Sequence, residues 1–186
     1  PVSSAAARVY LSVGVGADGL GSLAAVRPGY PARDLRAATT LRAQLGLVVR
    51  GVVFVALETQ VAFSGGFAPL GAARTNDEDA SMGLGQIGGS VEWLPMRFGA
   101  LSPMFGAAAA YVLPAEGWAP MSGIAVGLRA GLHYDLLRLV DRTVLALVVD
   151  ARWSYVSLRP EDPESPAVQA VKGVLPGGTE GLRFTL

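Results

Sequence analysis

The chain has no cysteine, one histidine and one lysine among its 186 residues. Without cysteine there is neither a disulfide framework nor a thiolate metal site. A single histidine excludes a His-rich metal centre. Net charge is missing too: 15 basic and 15 acidic side chains cancel. A neutral chain lacks the basic surface that a phosphate backbone selects, so nucleic acid is not expected as a partner. No apolar run approaches the ~18 residues of a membrane helix; the longest candidate, 45–57, is broken by Arg50 and Gly51. No signal peptide is expected within these residues, and Pro1 is expected to be a processed start. Every basic residue except Lys172 is an arginine. Soluble surfaces mix lysine with glutamate, so the missing lysines point to little ordinary water-facing sheet. With 24 glycines and 12 prolines, a helical bundle is excluded as well.

What is present is alternation. In 124–135 the even positions Ile124, Val126, Leu128, Ala130, Leu132 and Tyr134 are apolar or amphipathic, and the odd ones are small or charged. In 143–157 the parity inverts, with Leu145, Leu147, Val149, Ala151, Trp153 and Tyr155 forming the apolar set. Side chains on a strand point to opposite faces in turn, so each segment has one greasy face and one small or ionised face. Similar patterns cover 8–16, 41–49, 53–63, 82–94, 99–113 and 180–186. That predicts about eight strands. The connections 17–39, 64–80 and 158–178 are long and the one ending at Trp118 is compact; those at 50–52, 95–97 and 137–142 are short. Long loops at one end and short turns at the other mark an up-and-down transmembrane barrel, with strands of a length suited to a tilted bilayer crossing. The expected fold is all-β: an eight-stranded antiparallel transmembrane β-barrel, one domain spanning 1–186.

A soluble barrel would turn its apolar face inward around a ligand and show lysine, glutamate and threonine outside. Here the second face is glycine, alanine and serine with scattered charges, a composition suited to a narrow interior. By parity the inward set contains Arg42, Arg129, Arg152 and Arg183 against Glu58, Glu92, Asp135 and Asp150, together with His133, Gln44, Gln60 and Gln86. Equal numbers of each sign are what a low-dielectric interior requires, because unpaired buried charge is expensive. Adjacent-strand register suggests Arg42 with Glu58 and Arg129 with Asp150. Aromatics near strand ends form two expected interfacial girdles: Phe63, Tyr111, Trp153 and Tyr155 toward the long loops, and Trp93, Tyr134 and Phe184 toward the short turns.

The segment Ser102-Pro103-Met104-Phe105-Gly106-Ala107-Ala108-Ala109-Ala110-Tyr111 resembles the Pro-Tyr-x-Gly-Ala-Gly-x-Gly-Tyr stretch of the outer-membrane protein A-like β-barrel family. Residues 127–134 and 150–155 look like the two strands that follow it. The resemblance implies an eight-stranded barrel in the outer membrane of a Gram-negative envelope, with both termini periplasmic.

Two motifs are weaker than they look. Gly14-x-Gly16-x-x-Gly19, with Asp34 further on, outlines a dinucleotide fingerprint. Gly21 and Pro28 interrupt the helix it would need, so a strand entering a glycine-rich loop is expected instead. The acidic residues Asp77, Glu78, Asp79, Glu161, Asp162 and Glu164 match no calcium-loop spacing and read as solvated loops. His133 is the one candidate general base, and parity sends it inward. No catalytic residue, metal or cofactor is therefore expected. The expected function is structural: a plugged barrel that scaffolds or anchors a partner, in contact with outer-membrane lipid, lipopolysaccharide or another envelope protein. The rival readings are a lipid-modifying outer-membrane enzyme and a soluble lipocalin-like ligand-binding barrel.

Overall fold

The computed structural model describes residues 7–19, 37–64, 82–114, 121–138, 143–160 and 171–186. They form eight strands: β1 (Arg8–Gly19), β2 (Ala37–Val49), β3 (Val53–Ser64), β4 (Met82–Trp93), β5 (Leu101–Pro114), β6 (Met121–Arg138), β7 (Val144–Pro160) and β8 (Val171–Thr185). Each strand pairs antiparallel with the next, and β8 pairs back onto β1, so the sheet closes into an up-and-down barrel. Closure removes the free edges that an open sheet would present to other chains. The period-two pattern sets the wall. Leu57 is 74% exposed and Leu128 67%, while their chain neighbours Glu58 and Arg129 are buried. An apolar outside around a charged inside is the reverse of a soluble ligand-binding barrel. It is the arrangement that a bilayer stabilises.

The β2–β3 hairpin has the expected register, Val49 opposite Val53 and Arg42 opposite Gln60. Its turn places Arg50 at φ 54° and Gly51 at φ 71°, and the Val52 N–H donates to the Val49 carbonyl at 3.2 Å. Two successive left-handed residues match the twist of a hairpin, and glycine takes that conformation without strain.

Several strands are longer than their alternation suggested. β1 runs on to Gly19 and β2 starts at Ala37, so the loop expected at 17–39 contributes residues to both. β6 and β7 extend to Met121 and Pro160. The largest difference is β8, expected at 180–186 and found from Val171. Its first half contains Gly173, Pro176, Gly177 and Gly178, which are poor strand formers and read as loop. Pairing with β7 holds it in the sheet. Pro176 lies just beyond the β1–β8 ladder, which reaches Gly177 opposite Asp18. On that side it has no partner in the ladder.

The interior is layered. At the short-turn end Tyr10, Val48, Phe54, Leu94, Met104 and Val148 form one apolar cluster. At the long-loop end Leu84, Val112, Val156, Leu158 and Leu175 form another, with Ala38, Ala62 and Ala125. The charged groups lie between them. Alternation alone had indicated an inside of small and polar residues; the two apolar layers are a property of the closed barrel.

Candidate functional site

The middle layer is a network of arginines and carboxylates contributed by seven strands, all but β5. Arg129 on β6 grips Glu58 on β3 with both guanidinium nitrogens, at 2.7 and 2.8 Å, and reaches Glu92 on β4 at 3.1 Å. The forked geometry suits a planar guanidinium and makes these charge-assisted bonds strong. The Gln44 amide donates to Glu58 at 2.8 Å and to Glu92 at 2.9 Å, tying the two carboxylates together. Arg183 on β8 donates to Glu92 and, at 3.1 Å, to the Gln44 carbonyl. Its guanidinium also lies 4.6 Å from the Phe54 ring centroid and 4.9 Å from that of Tyr10. Arg183 thereby joins the charged layer to the apolar layer below through cation–π contact. Higher up, Arg42 pairs with Asp150, which also accepts from the Thr179 hydroxyl at 3.0 Å. Arg152 pairs with Asp18 and donates to Gln60. Asp18 accepts in addition from Thr40 at 2.9 Å and Gln60 at 2.8 Å.

The structure brings Arg42, Glu58, Glu92, Arg129, Asp150, Arg152 and Arg183 into this interior, every one buried. The partnering differs from the simple expectation. Arg42 is in register opposite Gln60 and Arg129 opposite Arg152, yet Arg42 bonds to Asp150 and Arg129 to Glu58. In a narrow closed barrel inward side chains converge on the axis. Long arginines therefore find acceptors across the lumen in preference to those along the wall.

Asp135 also faces inward, its side chain 6% exposed, but lies outside the central network. It sits at the mouth, paired with Arg97 of the β4–β5 turn and, at 2.8 Å, with Arg138. A bulge between Asp135 and Leu137 shifts the parity and puts Arg138 on the same face as Asp135. Asp18 takes its place in the central balance, giving four arginines against Asp18, Glu58, Glu92 and Asp150. Asp18 falls in the 17–39 connection, which alternation reads as loop. The signal that finds it is the inward parity of Ser12, Gly14 and Gly16, which continues to residue 18. Two glycines make room for the network. A Cβ at Gly106 would stand 3.0 Å from Arg129 Cγ and 3.1 Å from Glu92 Cγ, and one at Gly177 would overlap the Asp18 carboxylate.

The chemistry open to the interior is limited. A cavity of about 20 Å³ lies against Glu58, Gln60, Arg129, Arg152 and Ser154, room for about one water. His133 is buried at the mouth end, its Nδ1 3.5 Å from Asp135 and its ring 5.9 Å from Phe54. Ser102 stands opposite His133 in the β5–β6 ladder. The three residue types of a hydrolase thus meet here, but Ser102 is 4% and His133 6% exposed, and the cavity is lined by other residues. Gly14, Gly16 and Gly19 all belong to β1, and Asp34 and the acidic runs at 77–79 and 161–164 lie outside the described residues.

The seven aromatics Phe63, Trp93, Tyr111, Tyr134, Trp153, Tyr155 and Phe184 all project outward. Phe63 and Tyr111 lie toward the long-loop ends of their strands, and Trp93, Tyr134 and Phe184 toward the short turns. Trp153, expected in the upper girdle, stands opposite Leu128 in the middle of the β6–β7 ladder.

No family model matches the chain, and no curated protein matches it either. Among solved structures it is similar to Neisserial surface protein A, with a TM-score of 0.62 and 15% identity over 96% of this chain and 97% of that one. It is also similar to the outer membrane protein OprG from Pseudomonas aeruginosa, with a TM-score of 0.52 and 13% identity over 98% and 97% of the two chains. At such identities the likeness shows the fold. The chain has the eight-stranded architecture of outer-membrane barrels, and its apolar wall suits the same environment.

Proposed function

We propose that this eight-stranded transmembrane barrel is a closed structural element of the outer membrane that anchors or scaffolds a partner and conducts nothing. One observation carries the reading: a charge-balanced layer sealed between two apolar layers. An ion crossing from either end must pass packed hydrocarbon before it reaches the central charged layer, and desolvation there is costly. An eight-stranded barrel is also just narrow enough for side chains to fill. In the orientation that this reading adopts, the short turns and both termini face the periplasm and the long connections face outward. Outer-membrane phospholipid and lipopolysaccharide then surround the wall.

A lipid-modifying enzyme has less support. A serine nucleophile needs an activating base within reach and a substrate path to it. Ser102 and His133 point away from the lipid, into the packed interior. The reading is tested by single-channel recording from purified protein in a planar bilayer. Current should stay at the bare-membrane level; a stable, ion-selective pore would make a channel the better description. As a second arm, incubation with phospholipid or lipid A should release no fatty acid. Release that is abolished by His133→Ala would establish an enzyme.

A further inference from the structure

The lipid-facing wall obeys its apolar rule along nearly its whole height, and it breaks at Glu180. By parity Glu180 belongs to the outward set of β8, with Val174, Leu182 and Phe184, and its side chain is exposed there. It stands between Val149 on β7 and Val15 on β1, which are themselves exposed on the wall. Along β8 it lies midway between Pro176, which faces Trp153, and Phe184 at the short-turn end. Glu180 therefore lies within the apolar wall, between the level of Trp153 and the short-turn end. Among the described residues it has no hydrogen bond or ion pair, and no other charged side chain faces outward at that level. Arg159 and Lys172, the outward cations of β7 and β8, lie at the long-loop end.

An ionisable side chain in a membrane normally faces the interior or a partner, because hydrocarbon solvates it poorly. The interior does not need Glu180: its four arginines already have four carboxylates. The surroundings of Glu180 allow close approach. Gly178, Ala17 and Ala151 lie on its long-loop side, forming a shallow step beside Trp153. Small residues of this kind let a second backbone pack closely in a bilayer.

We propose that the β7–β8–β1 wall is the docking face for a second membrane-embedded protein, which places an arginine or lysine against Glu180 within the apolar wall. The proposal rests on the anchoring reading above and names the surface and the chemistry of the partner. A second copy of this chain does not fit. Two-fold pairing would set Glu180 against Glu180. In a copy inserted the same way up, Arg159 and Lys172 remain at the long-loop level and cannot reach it.

The test places a photo-crosslinking benzophenone side chain at Val15 or Val149 in intact cells, with matched positions at Val55 and Val91 on the opposite β3–β4 wall. Crosslinked peptides are mapped by mass spectrometry in the wild type and in Glu180→Gln. The expected result is one partner, captured from Val15 and Val149, through an apolar segment bearing an arginine or lysine. Its yield should fall roughly threefold or more in Glu180→Gln, in line with single polar contacts between membrane segments. Capture of lipid alone, of a second copy, or of a segment without a cation overturns the proposal, as does a yield indifferent to Glu180→Gln. Capture only from Val55 and Val91 overturns it too, while leaving the anchoring reading in place; a conducting pore is what removes that reading. A separate measurement uses purified barrel in lipid vesicles without partner. Glu180→Leu should unfold at higher urea than the wild type, because the carboxylate faces hydrocarbon there. Lower stability would mean that Glu180 serves the barrel itself, and would also overturn the proposal.

Discussion

Individual charges in this protein differ in worth according to depth. The Asp150 and Arg42 side chains are both almost wholly out of solvent. Asp150→Ala leaves the Arg42 guanidinium without its ion-pair partner inside the barrel, and should cost roughly 3–5 kcal/mol. Arg97 pairs with Asp135 at the mouth, where its own side chain is 51% exposed. Arg97→Ala should cost no more than about 1 kcal/mol. Urea titrations of both variants in lipid vesicles check the contrast. The double replacement Arg42→Met with Asp150→Leu should recover most of the loss, since a buried pair exchanged for apolar volume is often near neutral. A glycine matters by the same logic of space. A Cβ at Gly106 would stand 2.8 Å from the Val91 carbonyl oxygen. Gly106→Val should therefore displace the Arg129–Glu92 contact and cost about 1–3 kcal/mol in the same assay.

At the scale of the strand, the decisive variable is which parity meets lipid. Leu57 and Glu58 are adjacent on β3, and one faces hydrocarbon while the other accepts two bonds from Arg129. Leu57→Arg should cost roughly 2–4 kcal/mol in vesicles, because the charge meets the apolar band. A folding titration showing no loss would place Leu57 outside the bilayer core. β8 illustrates the opposite kind of control. Its glycines and proline give it little strand preference of its own, so its first half depends on pairing with β7. The bulge in β6 is a third device: one inserted residue brings Arg138 beside Asp135 and closes the mouth with a cluster that regular alternation would have split.

For the whole molecule, the layering makes two separate seals. Leu84→Ala with Leu158→Ala should thin only the long-loop layer. Each truncation costs about 2–5 kcal/mol, but the short-turn layer and the ion pairs still block the lumen. Single-channel current should therefore stay at baseline in a variant that unfolds earlier; an open channel would show that one layer is the entire plug. The orientation proposed for the barrel has its own readout. Long connections tolerate cutting best, so protease added to intact cells should cleave within 20–36, 65–81 or 161–170. It should spare Arg50 and Arg97. Cleavage at those short turns from outside would invert the barrel.

The sequence by itself determined the number of strands, the antiparallel order, the short turns and the face of each strand that meets lipid. Each of these depends on residues close in the chain, because side chains alternate with period two and a turn needs only a few residues. Arg42, Glu58, Arg129 and Asp150 were readable as inward for that reason. Their partners were not. Arg42 and Asp150 are 108 residues apart in sequence, and the distance between them exists only once β8 has closed on β1. Closure also decided that Asp18 and not Asp135 completes the charge balance, that Val171 to Gly178 is strand, and that inward apolar residues gather into two layers. Height within a barrel is set jointly by all the registers, and no single strand carries it. The exposed carboxylate of Glu180 belongs to both levels: its parity is legible in the chain, but its depth in the wall is a fact of the closed sheet.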